Sequence, residues 1–240
     1  MSKKVFWCKN CLNMSTRPRI EFDNKCWCNA CQWSEEKKTF DWEGRKKELK
    51  KLLDKYRSNS GNFDCVVPVS GGKDGSYVAY TLKHKYGMNP LCITVAPALS
   101  LDLGDQNLKN FINSGYNHLH INPDVNIMQK LNKIGFVEKG FPYYGWLIAI
   151  QSAVIRTALN FNIPLLFYGE DGEVEYGGST ETKGNSLLSI DYQKKVWFEG
   201  GYDLVMSKVG NMKSSDLYFW NFPGDKEIGY KELHTATWSY

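Results

Sequence analysis

"CVVPVSGGKDGSYVAYTLKHKYG", residues 65–87, runs from strand formers through three glycines into a helical pattern. The preceding apolar run, 63–69, has the near-continuous hydrophobicity of a strand covered on both faces in a parallel sheet. The turn that follows is built for an anion. Glycines at 71, 72 and 75 let backbone N–H groups approach closely, and the next helix starts there with its positive dipole end. Ser70 and Ser76 add hydroxyl donors, and Lys73 adds a mobile cation. Asp74 either caps the helix or holds Mg²⁺ through water. The string is neither G-x-x-x-x-G-K-[ST] nor G-x-G-x-x-G, so the two commonest phosphate fingerprints are excluded.

Outward from this turn the pattern alternates strand and helix. Residues 91–97 (LCITVAP) and 118–122 (HLHIN) read as strands, 146–161 as a helix, and 163–170 (IPLLFYGE) as a strand ending in a polar turn. That alternation predicts an α/β fold with a doubly wound parallel sheet. Ligands of such sheets sit beyond the carboxyl ends of the strands, which places Ser70–Ser76, Thr94 and Glu170 around one crevice. After the last strand, "YGEDGEVEYGG" (168–178) crowds Glu170, Asp171, Glu173 and Glu175 into six residues. Such a cluster calls for a metal or a cationic group.

The other strong signal lies upstream. "CKNC" (Cys8, Cys11) and "CNAC" (Cys28, Cys31) are two C-x2-C pairs with sixteen residues between them. This is zinc-ribbon spacing, and four thiolates give a closed, structural Zn²⁺ site. Cys26 is a spare thiol. Residues 41–56 place Trp42, Leu49, Leu52, Leu53 and Tyr56 on one helical stripe, with Lys and Arg opposite. The expected organisation is therefore a zinc-ribbon module over 1–40, a connector helix and linker over 41–60, and the α/β domain over 61–240.

Composition bounds the rest. The chain has 240 residues, 42% hydrophobic and 23% charged, which reads as a soluble globular protein. It has no apolar run of membrane-helix length and no visible secretory signal, so the expected location is cytoplasmic, with cysteines as thiols or metal ligands. Residues 1–60 carry 15 Lys/Arg against 8 Asp/Glu (+7), and the remainder 15 against 18 (−3). The basic N-terminal part suits an acidic partner, phosphates or a solvated helix face.

At Ser70, Gly71, Gly72, Lys73 and Asp74 the turn resembles the PP-loop, S-G-G-x-D-S, of the HUP-like adenine-nucleotide α-hydrolases. Gly75 stands where that pattern has serine, with Ser76 one place later. The zinc-ribbon cysteines, "PVSGGKD", "LGDQNL" (103–108), "NIPLLFYGE" and "EYGG" together are similar to the N-acetyl sugar amidotransferases (WbpG and PseA type) of surface-polysaccharide and lipopolysaccharide biosynthesis. The similarity spans most of residues 5–180. The resemblance implies ATP and Mg²⁺, with Lys73, Asp74 and Glu170 catalytic. Ser70–Ser76 and Thr94 would hold the nucleotide, and Glu173, Glu175 and Tyr176 would face the sugar. It further implies conversion of an acetamido to an acetamidino group, with ammonia from a separate glutaminase and its cyclase-like companion. Members continue beyond the point where this chain stops, leaving open a short member or a truncated one. Tyr143, Tyr144 and Trp146 are further stacking candidates. Two other readings stand beside it: a PP-loop tRNA-thiolating enzyme, which needs reactive cysteines where only Cys65 and Cys92 are available, and a non-catalytic zinc-ribbon interaction module. Nucleic acid is the less expected partner.

Overall fold

The computed structural model describes residues 4–170, 172–224 and 233–237. Its strands are β1 Cys65–Pro68, β2 Pro90–Val95, β3 Asn117–Ile121, β4 Leu165–Tyr168 and β5 His234–Thr237; the first four fall where the sequence places strands, and β5 is an addition. The first four are parallel neighbours, and the sheet order is β3-β2-β1-β4-β5. The order reverses at β1, with β2 on one side and β4 on the other, which is the switch point where open α/β sheets bind ligands. β2 is buried at every position, as expected for a central parallel strand.

The helices are α1 Asn29–Glu36, α2 Trp42–Tyr56, α3 Lys73–Tyr80, α4 Asp102–Asn113, α5 Val125–Lys139, α6 Tyr144–Asn160, α7 Ile190–Tyr192 and α8 Tyr202–Ser207. α6 is apolar nearly all round, with Ile148, Ala149, Ala153, Val154, Ile155 and Ala158 excluded from solvent. It packs on β1, β2 and β4, against Val66, Leu91, Ile93, Val95, Leu166 and Tyr168. Burying each large apolar side chain there contributes about 1.5–3 kcal/mol. α5 begins where the Asp124 carboxylate accepts from the N–H groups of Asn126 and Ile127 at 2.8 and 3.0 Å, a capping contact. α5 ends at Gly140 in the left-handed region, φ 70°.

Two compact units emerge. One comprises Met1–Lys51, Glu170–Leu187 and Thr237–Tyr240; the other comprises Leu52–Gly169 and Leu188–Ala236. The division falls inside α2, and the acidic segment after β4 groups with the cysteine-bearing N-terminal part. No helix among the described residues is long and apolar enough to cross a membrane.

Candidate functional site

The turn between β1 and α3 is held by backbone contacts that only glycine tolerates. Gly71 has φ +81°, and a Cβ there would lie 2.7 Å from the Gly104 carbonyl and 2.8 Å from the Leu108 nitrogen, both in α4. Gly75 faces β1: a Cβ would fall well under 3.0 Å from the Pro68 carbonyl oxygen and 3.3 Å from the Val69 Cα. The helix therefore starts against the end of the strand and against the first turns of α4. This explains the departure from the PP-loop pattern, because a serine at 75 has no room. Ser76, one residue on, turns its hydroxyl back to the Gly72 carbonyl at 2.7 Å.

Gly72 is the N-cap of α3 and offers no side-chain acceptor to the first-turn N–H groups. The first-turn N–H groups stand at the positive end of the helix, the end that attracts an anion. Lys73 and Asp74 stand exposed beside them, the ammonium 2.6 Å from the Asp74 carboxylate. Asp74 at the first turn is the residue able to hold a cation at a bound anion.

Thr94 is buried. Its hydroxyl donates to the Val69 carbonyl at 2.7 Å and lies 2.8 Å from His118 Nε2. Its proton is thus spent inside the protein, on the residue that precedes Ser70. Burial, aided by the neighbouring His120, pushes the His118 pKa down, which favours the neutral ring. His118 carried no sequence signal beyond its place on a strand next to β2.

A cleft of about 430 Å³ adjoins the turn at the carboxyl ends of β2 and β3, lined among others by Ala96, Pro97, Asp105, Leu108, Ile112 and His120. Leu108 is shared: its backbone meets the turn at Gly71, and the residue lines the cleft. "LGDQNL" is thereby placed, since it forms the first turns of α4. Asp105 in it accepts from Ser100 Oγ at 2.9 Å. A larger cleft of about 610 Å³, between Lys55–Phe63 and Ala158–Pro164, opens at the amino ends of β1 and β4. It is away from the turn, and its size does not make it the site.

The four cysteines of the first unit converge. The sulfurs of Cys8, Cys11, Cys28 and Cys31 all lie within 4.8 Å of one another, with Cys8–Cys31 at 3.8 Å, Cys11–Cys28 at 3.5 Å and Cys28–Cys31 at 3.8 Å. Tetrahedral sulfurs at Zn–S distances of about 2.3 Å are spaced by roughly 3.8 Å, so the donor set fits zinc. Cys8 and Cys11 sit on a tight knuckle closed by Leu12 in the left-handed region, φ 65°. The second pair differs from a hairpin knuckle: Cys28 is the N-cap of α1 and Cys31 lies in its first turn. Burial opposes ionisation of Cys8, but N–H groups of Cys11, Cys28 and Asn10 outweigh it and bring its thiol to about 6. Cys31 is pushed up to about 12, by burial and by the neighbouring thiols. Four thiolates this close need a cation among them.

The acidic segment finds its cations within the same unit. Glu173 takes a bidentate pair from Arg19 at 2.9 and 3.0 Å, and its Oε2 also accepts from the Ser179 N–H at 2.9 Å. Glu175 lies 3.6 Å from Lys37. Asn13 donates to the Tyr176 carbonyl at 3.1 Å, and Asn29 to the Gly178 carbonyl at 2.6 Å. "EVEYGG" is thus stitched to the residues around the cysteine cluster, with Tyr176 about half exposed. Glu170 is exposed and opens this segment; Asp171 lies outside the described residues. Tyr144 is buried and donates to the Phe198 carbonyl, and Trp146 donates to the Val95 carbonyl, so both are packing residues. Tyr143 is exposed.

These features define an α/β protein with a doubly wound sheet whose first four strands are parallel, a tightly packed glycine turn at its switch point and a four-thiol cluster fit for zinc. No family model matches the chain. Over 89 residues it is 33% identical to Uncharacterized protein MJ1599 of Methanocaldococcus jannaschii, a stretch that is 37% of this chain and 32% of that protein. The chain thus spans about a third of the length of the curated relative it matches. Among solved structures it is similar to a predicted subunit of tRNA methyltransferase from the same organism, with TM-score 0.34 and 20% identity over 69% of this chain and 72% of that one. So loose a superposition carries no argument, and the fold assignment rests on strand order and register.

Proposed function

We propose that this chain is an ATP-dependent, AMP-forming amidotransferase that converts an acetamido group on a sugar to an acetamidino group. The observation that carries this is the S-G-G-K-D turn at the switch point, where α3 starts with its positive end at the turn and the glycines pack so closely that the backbone itself forms the wall. Pyrophosphate suits the turn, and the adjoining cleft, with Ala96, Pro97 and Ile112 as apolar walls and Asp105 beside them, suits the nucleoside.

In the reaction the amide oxygen attacks the α-phosphorus, and the bond to pyrophosphate breaks. Ammonia then adds to the amide carbon, which releases AMP carrying the former amide oxygen and leaves nitrogen in its place. Lys73 and the first-turn amides stabilise the charge that develops on pyrophosphate. Bound Mg²⁺ would supply further charge neutralisation, with Asp74 as its holder. Zinc held by Cys8, Cys11, Cys28 and Cys31 has no open position in this scheme and is structural. Ammonia would come from a partner glutaminase with its cyclase-like companion, in a surface-polysaccharide pathway.

The buried cysteines argue against sulfur transfer. Cys65 and Cys92 are fully buried. Burial and the nearby Asp64 raise the Cys65 thiol well above its usual range, and burial pushes Cys92 up to about 12, whereas sulfur carriers need an accessible thiolate. The test is turnover with ATP, ammonium and a panel of acetamido sugars. A heavy-oxygen label in the acetamido group should appear in AMP, and Lys73→Ala should lower kcat about 10²–10³-fold, the scale of losing one charge-stabilising donor. AMP released without the label rules the mechanism out.

A further inference from the structure

Thr94 and His118 lie on neighbouring strands, and nothing in the turn's sequence points to them. In the β2–β3 register Cys92 is paired with His118 and Thr94 with His120. These four side chains share one face of the sheet, opposite the core face of Leu91, Ile93 and Val95. Thr94 Oγ1 stands 2.7 Å from the Val69 carbonyl and 2.8 Å from His118 Nε2. A hydroxyl has one proton. If it goes to Val69, whose carbonyl has no proton to give, then His118 must donate through Nε2–H and the threonine oxygen accepts. The direction of the chain is fixed: imidazole to hydroxyl to carbonyl.

Val69 is the last residue before the turn. Its N–H donates to the Ile93 carbonyl at 2.8 Å, so β2 grips both its amide and, through Thr94, its carbonyl. The peptide joining Val69 to Ser70 is thereby held in one orientation at the point where the anion-binding amides begin.

We infer that Thr94 and His118 are positioning residues, a hydrogen-bonded brace that sets the Ser70–Ser76 turn for its anion without touching it. This rests on the proposed nucleotide role of the turn, but the brace itself is testable without nucleotide. The imidazole donates through Nε2 whether neutral or protonated, so the brace holds through the histidine titration range.

The experiment uses the full chain and four variants: Thr94→Val, Thr94→Ser, His118→Leu and His118→Gln. Hydrogen–deuterium exchange comes first. Removing the donor in Thr94→Val should speed exchange at the Val69 amide, which is hydrogen-bonded to Ile93, and at the hydrogen-bonded amides of α3 at least severalfold while α6 amides keep wild-type protection. His118→Leu should do the same more weakly, and Ser and Gln, which keep a donor, should restore protection. Calorimetry with ATP then reads the consequence: Kd should rise about tenfold in Thr94→Val and less in His118→Leu, with recovery in Thr94→Ser and His118→Gln. Should Thr94→Val fail to fold, His118→Leu against His118→Gln gives the same comparison. Unchanged exchange at Val69 and in α3 in both Thr94→Val and His118→Leu overturns the brace. Altered exchange together with no ATP binding by the wild-type chain leaves the brace standing as a structural device and overturns the nucleotide reading, along with any role for the brace in it.

Discussion

Placing at position 75 the serine of the PP-loop pattern should damage this protein. In Gly75→Ser the new Cβ would be driven against the Pro68 carbonyl and the Val69 Cα. Both are backbone, at the end of β1 and just beyond it, so no side chain can rotate out of the way, and the start of α3 must lift from β1. Overpacking a well-filled site costs about 1–3 kcal/mol, and a backbone wall puts this case near the top of the range, at about 3 kcal/mol. In a chain of this length each kcal/mol moves Tm by about 2–4 °C, so the midpoint should fall roughly 6–12 °C. The lift also displaces the first-turn amides, and the Kd for ATP should rise tenfold or more. Gly104→Ala is the matched control. It lies in α4, and its Cβ would meet nothing within 4 Å. Replacing a helical glycine by alanine should then stabilise by about 0.5–1 kcal/mol. Scanning calorimetry of the two variants with an ATP titration reads both effects. A Gly75→Ser protein with wild-type Tm and wild-type affinity would show that the turn is not packed as described, and the steric account of the missing serine would fall with it.

Three further outcomes are expected. Purified protein should contain one zinc per chain, and Cys28→Ser should lose it; metal analysis finding no zinc, or zinc retained in that variant, contradicts the four-thiol site. Arg19→Ala should destabilise the cysteine-bearing unit by about 1 kcal/mol, the scale of a partly exposed ion pair; denaturant melts that match the wild type would show that the bidentate contact to Glu173 does not hold the acidic segment. Stability should also fall in mild acid. Burial, aided by the nearby Lys55, depresses the pKa of His234 below its ordinary 6.5, so the unfolded chain takes up a proton there before the folded one does. The contribution is full above 6.5 and is lost as pH falls through the depressed value. His234→Gln should flatten that limb of a pH–stability curve, and an unchanged curve would assign the loss elsewhere.

The chain's local patterns went far. Apolar runs at 63–69, 91–97 and 163–170 announced three of the parallel strands, because a strand buried on both faces has little room for polar positions; HLHIN at 118–122 announced the fourth, an edge strand that keeps its polar residues. The C-x2-C pairs announced their own convergence, since each pair presents two thiolates over a few residues and the metal chemistry needs four. The glycine string announced a tight turn at a helix start. What the linear pattern could not reveal was which residues would satisfy one another across the fold. The carboxylates at 173 and 175 read as calling for a metal or a cationic group, and only the fold shows that Arg19 and Lys37, over 130 positions earlier, are cationic groups beside them. Thr94 read as a contact at a strand end, yet its proton goes to Val69. Gly75 read as a departure from a motif, yet the strand beneath it leaves no space for a side chain. Periodicity and motif spacing are local properties, fixed by backbone geometry within a few residues. Ion pairs, shared hydroxyl protons and steric walls depend on where distant segments arrive, and only the tertiary structure decided them.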